Sequence, residues 1–531
     1  MRWTTWAPAL AVLGAGSCVR AVNFPRAVSG KGFLSVPVGT VDKPKKDGKG
    51  KRADEEGTIL QRLENMDFFY AAEIDIGEPP QSVVVLVDTG SNELWVNPEC
   101  ENAPSQSQYS QCVGFGEYDP DKSETPPIGP FGRETINYGD ASDPTTHTSA
   151  TIRYYTDTLT FGDSQILNQT FGIVVQSDGI SQGIMGLSPD LEGGFDSDKP
   201  YTLLLSSMAE QGLIESRVFS LDLRHSESST GAVIYGGLDR SKFIGALEPV
   251  DIVRGEGGEY RLAVHLTSLG VTIDESEEFD LDEADTNVML DSGTTITRMH
   301  YSAAYPILQA LDAEDDGEGF YLTRCAYRDR PGSVDFGFGR KIIQVPFSDF
   351  ILDIGGSDTW CYIGLVVTTD QQILGDSVLR AGYFIFDWDN EQVHVAQAAN
   401  CGKDDIVAIG SGTDAVPDVT GNCDESDATA TGSDDATSAS EQLSRTATLP
   451  TKAYTTTFVI TSCPMFDMDC ETGVTTTQTI GPARATVTVT AAASATDSSD
   501  DDDDDSAAVQ TRPMAWVFAV LGAFAIGYNL V

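Results

Sequence analysis

Two short segments of the sequence each place an aspartate where a buried strand is expected to end. Val83–Val87 is an apolar run that leads into Asp88-Thr-Gly-Ser, and Val288–Leu290 leads into Asp291-Ser-Gly-Thr, 203 positions later. Short apolar runs predict buried strands, and a carboxylate there is costly to bury without a partner. One such aspartate is typical of a strand-end turn. Two matched copies indicate two similar lobes that each contribute a carboxylate to one site.

Two carboxylates held about 3 Å apart do not both ionise readily, because each raises the pKa of the other. The pair then shares a proton, so one member can act as general acid and the other as general base. A water molecule between them can attack a peptide carbonyl without a covalent intermediate. Gly90 and Gly293 allow close backbone approach, and the Ser91 and Thr294 hydroxyls can stabilise the ionised carboxylates.

Charge is distributed unevenly along the 531 residues, which carry a formal net charge of −48. Residues 1–52 hold 10 Lys/Arg and 2 Asp/Glu, whereas residues 53–401 hold 18 Lys/Arg and 59 Asp/Glu. A basic leader therefore precedes a strongly acidic body. Such a body disfavours nucleic-acid binding and attracts cationic peptides.

The leader has the features of a secreted precursor. Residues 1–21 combine Arg2, an apolar stretch and small residues, as a signal peptide does. Residues 22–52 are predicted to be a basic propeptide that ends in Lys51-Arg52, a pair typical of cleavage by kexin-type processing proteases. The sharp change of charge at this point favours processing over a solvated basic loop.

Residues 53–400 are predicted to form an all-β body, because short apolar runs alternate with turn residues. Helical patterns are few. We expect strands at Phe68–Ile76, Ile152–Phe161, Phe171–Val175, Ala232–Tyr235, Lys341–Phe347 and Tyr383–Phe386, and helices at Tyr201–Gln211 and Ser302–Leu311.

Residues 401–505 are rich in Ser, Thr and Asp and are predicted to be a flexible stalk. Residues 506–531 are predicted to be a GPI-attachment signal, since small residues and a polar spacer precede the apolar tail Met514–Val531. This tail is short for a transmembrane helix, and no Lys or Arg follows it. Ser506 is the candidate attachment residue, with Ser498 and Ser499 as alternatives. We therefore expect the protein at the outer face of the plasma membrane or in the cell wall.

Apart from Cys18 in the predicted signal peptide, the chain has eight cysteines. An even number in a secreted chain favours disulfides, but their pairing is not fixed by sequence, and Cys401, Cys423, Cys463 and Cys470 stay open. CxxC and HExxH motifs are absent from the sequence and the five histidines are scattered, so no metal or other cofactor is expected. Asn168 in Asn-Gln-Thr is the candidate N-glycosylation site.

At the aspartate motifs the chain resembles the pepsin-like aspartic endopeptidases. Asp88–Ser91 with Leu94–Val96, and Asp291–Thr295, resemble the two active-site loops. Ile136–Asp140 resembles the flap, the hairpin that closes over the substrate. Gly183–Leu187 and Ile373–Asp376 resemble the segments that pack behind the loops. The resemblance covers roughly residues 65–400 and implies a bilobal all-β fold, with the active site between pseudo-symmetric lobes at about 65–245 and 246–400.

The resemblance also implies roles for individual residues. Asp88 and Asp291 would be catalytic, supported by Thr89, Gly90, Ser91, Ser292, Gly293 and Thr294, with Thr89 and Ser292 cross-linking the lobes. Tyr138, Gly139 and Asp140 would form the substrate-binding flap, and Cys100–Cys112 and Cys325–Cys361 would be disulfides. The implied enzyme is a monomer that acts on peptides and proteins. Asn92-Glu93 departs from the family's small polar pair, and Ala141 stands where a flap glycine is common, but neither is expected to touch the chemistry.

In organisation the chain is similar to fungal yapsin-like proteases, which combine a signal, a basic propeptide, a stalk and a GPI signal. These relatives cut after basic residues, and Asp140 stands where related fungal proteases with Asp accept Lys. The short Cys100–Cys112 loop lacks the acidic insertion of some yapsins, which argues against transferring their detailed specificity. We expect an endopeptidase that processes cell-surface or cell-wall proteins and prefers basic residues. The alternative is a catalytically silent surface binding protein with the same fold, which the presence of both aspartates disfavours.

Overall fold

The computed structural model describes most of the body and a few segments beyond it. The described residues are 24–40, 70–124, 128–139, 147–189, 202–223, 231–254, 260–273, 277–353, 359–424, 454–459, 475–480 and 487–489. The predicted signal peptide, Lys51-Arg52, Asp140, Cys463, Cys470 and residues 506–531 with Ser506 lie outside them.

The N-terminal half of the body is built from strands that pair mainly with their neighbours in sequence. The strands are β1 (Val28–Gly30), β2 (Phe33–Thr40), β3 (Tyr70–Ile76), β4 (Gln81–Asp88), β5 (Leu94–Val96), β6 (Ile128–Tyr138), β7 (Thr148–Phe161), β8 (Ser164–Asp178), β9 (Gly183–Gly186), β10 (Val218–Asp222), β11 (Gly231–Tyr235) and β12 (Gly237–Asp239). Among the described residues of this half, the α-helices are α1 (Gln106–Gly114) and α2 (Leu204–Glu210). The segment β2, which lies in the predicted propeptide, pairs with both β3 and β11.

The C-terminal half repeats this organisation. Its strands are β13 (Phe243–Arg254), β14 (Tyr260–Ile273), β15 (Glu277–Leu290), β16 (Thr297–Met299), β17 (Glu314–Asp315), β18 (Tyr321–Arg324), β19 (Gly332–Phe338), β20 (Lys341–Pro346), β21 (Ile351–Leu352), β22 (Trp360–Ile363), β23 (Leu365–Val367), β24 (Ile373–Leu374), β25 (Gly382–Asp387), β26 (Gln392–Ala398) and β27 (Ile406–Ala408). The helices are α3 (Tyr301–Ala310), α4 (Phe347–Phe350) and α5 (Asp376–Leu379).

The strands around the two aspartates pair in the same way in both halves. In the N-terminal half, β4 pairs with β9 in parallel, and β5 is antiparallel to β9 and parallel to β8. In the C-terminal half, β15 and β24 are parallel, β16 is antiparallel to β24 and parallel to β23. This repetition confirms the predicted all-β fold and gives both aspartates the same local scaffold.

A sheet formed by β11, β10, β25, β26 and β13 joins the two halves. Side chains alternate across it: Phe384 and Phe386 belong to the main core of the lobes, whereas Tyr383 and Ile385 belong to a second apolar cluster. That second cluster includes Ile409, which lies beyond the predicted end of the body.

Residues 401–424, which we call the C-terminal strap, lie at the start of the segment predicted to be a stalk. In the strap, β27 pairs with β12, and Cys401 forms a disulfide with Cys423. Its apolar side chains, including those of Ile409 and Ala415, bury the outer face of the joining sheet. The strap therefore covers the second apolar face of the joining sheet.

The second compact unit of the chain contains most of three further strands. They are β28 (Tyr454–Val459), β29 (Thr475–Ile480) and β30 (Val487–Val489), and they form a sheet of their own within the predicted stalk. Among the residues that the structure describes, none of the helices is long and apolar enough to span a membrane.

Candidate active site

The two aspartates occupy equivalent positions at strand ends. Asp88 is the last residue of β4, and Asp291 directly follows β15. Backbone hydrogen bonds hold the two loops from behind: Leu187 N–H donates to the Asp88 carbonyl at 2.7 Å, and Asp376 N–H donates to the Thr294 carbonyl at 2.8 Å. The segments at Gly183–Leu187 and Ile373–Asp376 thus each support one of the two loops.

Each aspartate carboxylate accepts the same two hydrogen bonds from its own loop. The backbone N–H two residues after the aspartate donates to Oδ1 at 2.8 Å, and the hydroxyl three residues after it donates to Oδ2. The donors are Gly90 and Ser91 for Asp88, and Gly293 and Thr294 for Asp291. Both carboxylates are therefore held in fixed, matching orientations.

Each loop glycine lies against the carboxylate of the opposite loop. A Cβ atom added to Gly90 would lie 2.4 Å from Cγ of Asp291, and one added to Gly293 would lie 2.4 Å from Oδ1 of Asp88. Only glycine leaves room for this close approach, which brings the two carboxylates next to each other. Asp88 is 5% exposed and Asp291 is 6% exposed.

Burial, followed by the neighbouring charge of Asp291, raises the pKa of Asp88 well above its usual range. Hydrogen bonds from Ser91 and Gly90 act in the opposite direction. The pair therefore retains a proton at a pH where an isolated aspartate would have lost it. Such a pair can supply a general acid and a general base together.

The lobes are joined below the aspartates by reciprocal hydrogen bonds. The Thr89 hydroxyl donates to the Leu290 carbonyl, and the Ser292 hydroxyl donates to the Val87 carbonyl, each at 2.7 Å. Ser292 N–H donates to Thr89 Oγ1 at 2.9 Å, and Thr89 N–H donates to Ser292 Oγ at 3.1 Å. Both side chains are buried, so this junction fixes one loop to the other.

The flap strand β6 ends at Tyr138, close to the first active-site loop. Trp95 Nε1 donates to the Tyr138 hydroxyl at 2.8 Å, and burial raises the pKa of Tyr138. Gly139 has a φ of 110°, a conformation that favours glycine at the flap turn. The flap tyrosine is thus held by a residue of the neighbouring loop.

The structure contains the two implied disulfides, Cys100–Cys112 and Cys325–Cys361. The third bond, Cys401–Cys423, is one of the pairings that the sequence left open. Asn168 of the glycosylation sequon is exposed.

Two contacts beside the site were not predicted. Arg261 Nη1 donates to the carbonyl of Gly90 at 3.4 Å, and Glu93 lies within hydrogen-bond distance of the buried Tyr154 hydroxyl. Glu93 was visible in sequence as a departure from the family pattern. Its partners were not, because they lie far away along the chain.

Comparisons with known proteins agree with this geometry. The sequence model described as eukaryotic aspartyl protease matches residues 69–398. Candidapepsin-3 of Candida albicans is 32% identical over 368 residues, which cover 66% of this chain and 85% of the relative. Candidapepsin of Candida tropicalis is 33% identical over 371 residues, covering 68% and 85%.

Among solved structures, the aspartic proteinase from Irpex lacteus aligns with a TM-score of 0.52 at 19% identity. The alignment covers 69% of this chain and 97% of that protein, and it shows the shared fold. With the family match spanning both aspartate loops, the chain belongs to the eukaryotic aspartyl proteases and is an aspartic-type endopeptidase.

Proposed function

We propose that Asp88 and Asp291 together activate the water molecule that hydrolyses the peptide bond. The observation that carries this proposal is the contact of each loop glycine with the opposite carboxylate. The ionised carboxylate takes a proton from the water molecule while the water oxygen bonds to the scissile carbon. The protonated partner gives its proton to the carbonyl oxygen. The tetrahedral intermediate then breaks its C–N bond as a proton passes to the leaving nitrogen.

Asp88→Asn and Asp291→Asn test this mechanism. Each change keeps the side-chain shape but removes a carboxylate that shares the proton, so kcat should fall by at least about 10²–10⁴-fold. Asp178→Asn, at an exposed position at the end of β8, is the matched control and should retain activity. The measurement is cleavage of a peptide by purified, folded protein. Near-wild-type activity in either loop variant would exclude the proposed roles.

The proposed substrates are proteins with basic residues beside the scissile bond. The excess of Asp and Glu over Lys and Arg between residues 53 and 401 supports this, because an acidic surface attracts cationic chains. Asp140, which follows Tyr138-Gly139 in the sequence, would add a local carboxylate. The proposed role is the processing of cell-surface or cell-wall proteins.

The proposed route to that location is secretion, followed by cleavage after Lys51-Arg52 and replacement of the C-terminal tail by a GPI lipid. A relative described as Secreted aspartic protease 3 of Candida albicans, 31% identical over 368 residues, supports the secretory part. The basic leader and the apolar tail Met514–Val531 support the remainder.

A further inference from the structure

Three side chains from separate segments of the N-terminal lobe meet at one buried hydroxyl. The Tyr154 hydroxyl oxygen on β7 lies 3.1 Å from Glu93 Oε1 and 2.7 Å from Glu134 Oε2. Tyr154 is 1% exposed and Glu93 is 4% exposed. Glu93 directly precedes β5 in the first active-site loop, and Glu134 lies on the flap strand β6, which ends at Tyr138.

This arrangement needs one more proton than the tyrosine supplies. A tyrosine hydroxyl has one proton to donate, and an ionised carboxylate can only accept. The contacts are both satisfied when the buried Glu93 is protonated and donates to the hydroxyl oxygen, while the hydroxyl donates to Glu134. Burial, reinforced by Glu93 and Glu134, raises the pKa of Tyr154, so the hydroxyl itself stays neutral.

After burial, negative charges on Asp88 and Glu93 both act on the flap residue Tyr138 and raise its pKa. Arg133 and Arg153 are neighbours in sequence of Glu134 and Tyr154, but alternate residues of a strand point to opposite faces, and both arginines are exposed. A second negative charge at this hydroxyl would therefore be unfavourable.

We propose that Tyr154 is a positioning residue that ties the flap strand to the first active-site loop, and that the tie depends on a proton carried by the buried Glu93. The Trp95–Tyr138 hydrogen bond, at 2.8 Å, is a second link between the same loop and strand. When Glu93 loses this proton, its carboxylate no longer donates to the Tyr154 hydroxyl and is repelled by that of Glu134, which separates the loop from β6. Placement of the flap then weakens as pH rises, independently of the aspartate pair.

The first test compares Tyr154→Phe with Tyr155→Phe. The two tyrosines are adjacent on β7 and point to opposite faces, so the control removes a hydroxyl without touching the tie. Tyr154→Phe should lower kcat/KM for a peptide about tenfold, mainly through KM, as expected when a substrate-covering element loses a hydrogen bond. Equal kcat/KM in the two variants would overturn the proposal.

The second test replaces the required proton. The Gln amide of Glu93→Gln donates to the Tyr154 hydroxyl at every pH, so the tie no longer depends on protonation. The measurement is hydrogen exchange of the β6 amides, Ile128–Tyr138, corrected for the intrinsic pH dependence of exchange. Exchange should increase with pH in the unmodified enzyme and stay level in Glu93→Gln.

Glu134→Gln places the same amide donor on the opposite side of the Tyr154 hydroxyl, so exchange of the β6 amides should also stay level with pH in this variant. It serves as the test if Glu93→Gln does not fold. An exchange profile that rises equally in the unmodified enzyme and in the folded Gln variant would overturn the role of the proton. The readout does not require activity, so changes in the aspartate pair do not affect it.

Discussion

The hydroxyls beside the two aspartates govern how readily the pair gains a second proton. The Ser91 hydroxyl donates to Asp88 Oδ2, and this bond lowers the pKa of Asp88 against burial and the charge of Asp291. Thr294 donates to Asp291 Oδ2 at 2.6 Å in the equivalent way. Because the proposed mechanism needs a pair with one proton, these bonds extend activity toward acid.

Ser91→Ala is therefore expected to move the acid limb of the kcat/KM profile to higher pH. A hydrogen bond to a charged group contributes about 1.5–3 kcal/mol, and one pKa unit corresponds to about 1.36 kcal/mol, so the shift should be about one to two pH units. The direction follows because the ionised form loses a donor and binds a proton more readily. Ser110→Ala, in an exposed position on α1, is the control. An unmoved acid limb would show that Ser91 does not stabilise the ionised pair.

Asp140 is expected to carry part of the preference for basic substrates. Asp140→Thr should lower kcat/KM for a substrate with Lys beside the scissile bond about tenfold more than for its Leu counterpart, a difference of about 1.4 kcal/mol. The assay is run above the pH at which Asp140 ionises, since a neutral carboxyl does not discriminate. Asp414→Thr, at an exposed position in the C-terminal strap, serves as the control for a carboxylate outside the flap. An equal decrease in kcat/KM for the Lys and the Leu substrate would mean that Asp140 does not contribute to the preference.

Among the secondary-structure elements, the sequence predicted those strands whose ends are marked by neighbouring residues. The Tyr70–Ile76 and Gly382–Asp387 strands lie within two residues of their predicted ends, because alternating turn residues and apolar runs mark them. The aspartate loops were recognisable because their motifs are contiguous. The contact of Tyr154 with Glu93 was not, because only the folded sheet brings β7 beside that loop.

The C-terminal strap escaped prediction for a related reason. Its Gly-, Ser- and Asp-rich composition resembles a linker, and the interactions that order it are long-range. Arg240 Nε donates to the Thr420 carbonyl at 2.9 Å, and Cys401 is bonded to Cys423. The composition of a segment indicates whether that segment can form a core of its own. It does not indicate whether the segment packs against a core formed by residues that are distant in sequence.

A chain that ends at Asn400 should be less stable than one that ends at Asp424. The shorter chain loses the apolar cover of the joining sheet, including the buried side chains of Ile409 and Ala415, and full burial of one isoleucine side chain contributes about 1.5–3 kcal/mol. The free energy of unfolding should therefore fall by about 1.5 kcal/mol or more. Thermal unfolding of the two purified chains measures the difference. Equal Tm values would mean that the strap lies on the body without stabilising it.

For the whole molecule, charge and composition change along the chain, and the proposed preference for cationic substrates rests partly on this. If that preference holds, the acidic body should increase the local concentration of substrate, and salt should weaken this effect because charges are screened over about 8 Å at physiological ionic strength. The two proposed sources of the preference can therefore be measured separately. Added salt reduces the contribution of the body, whereas Asp140→Thr removes only the local one.

The C-terminal tail is expected to decide whether the enzyme stays on the cell surface. If Met514–Val531 directs attachment of a GPI lipid, deleting it should send active enzyme to the medium, while a phosphatidylinositol-specific phospholipase should release the full-length protein from membranes. The comparison is the fraction of activity in medium and membrane for each chain. Deleting the equally long stretch 428–445, in the predicted stalk, controls for the loss of chain length. A tail-deleted enzyme that remains in the membrane fraction would contradict anchoring by this segment, whatever the activity of its aspartate pair.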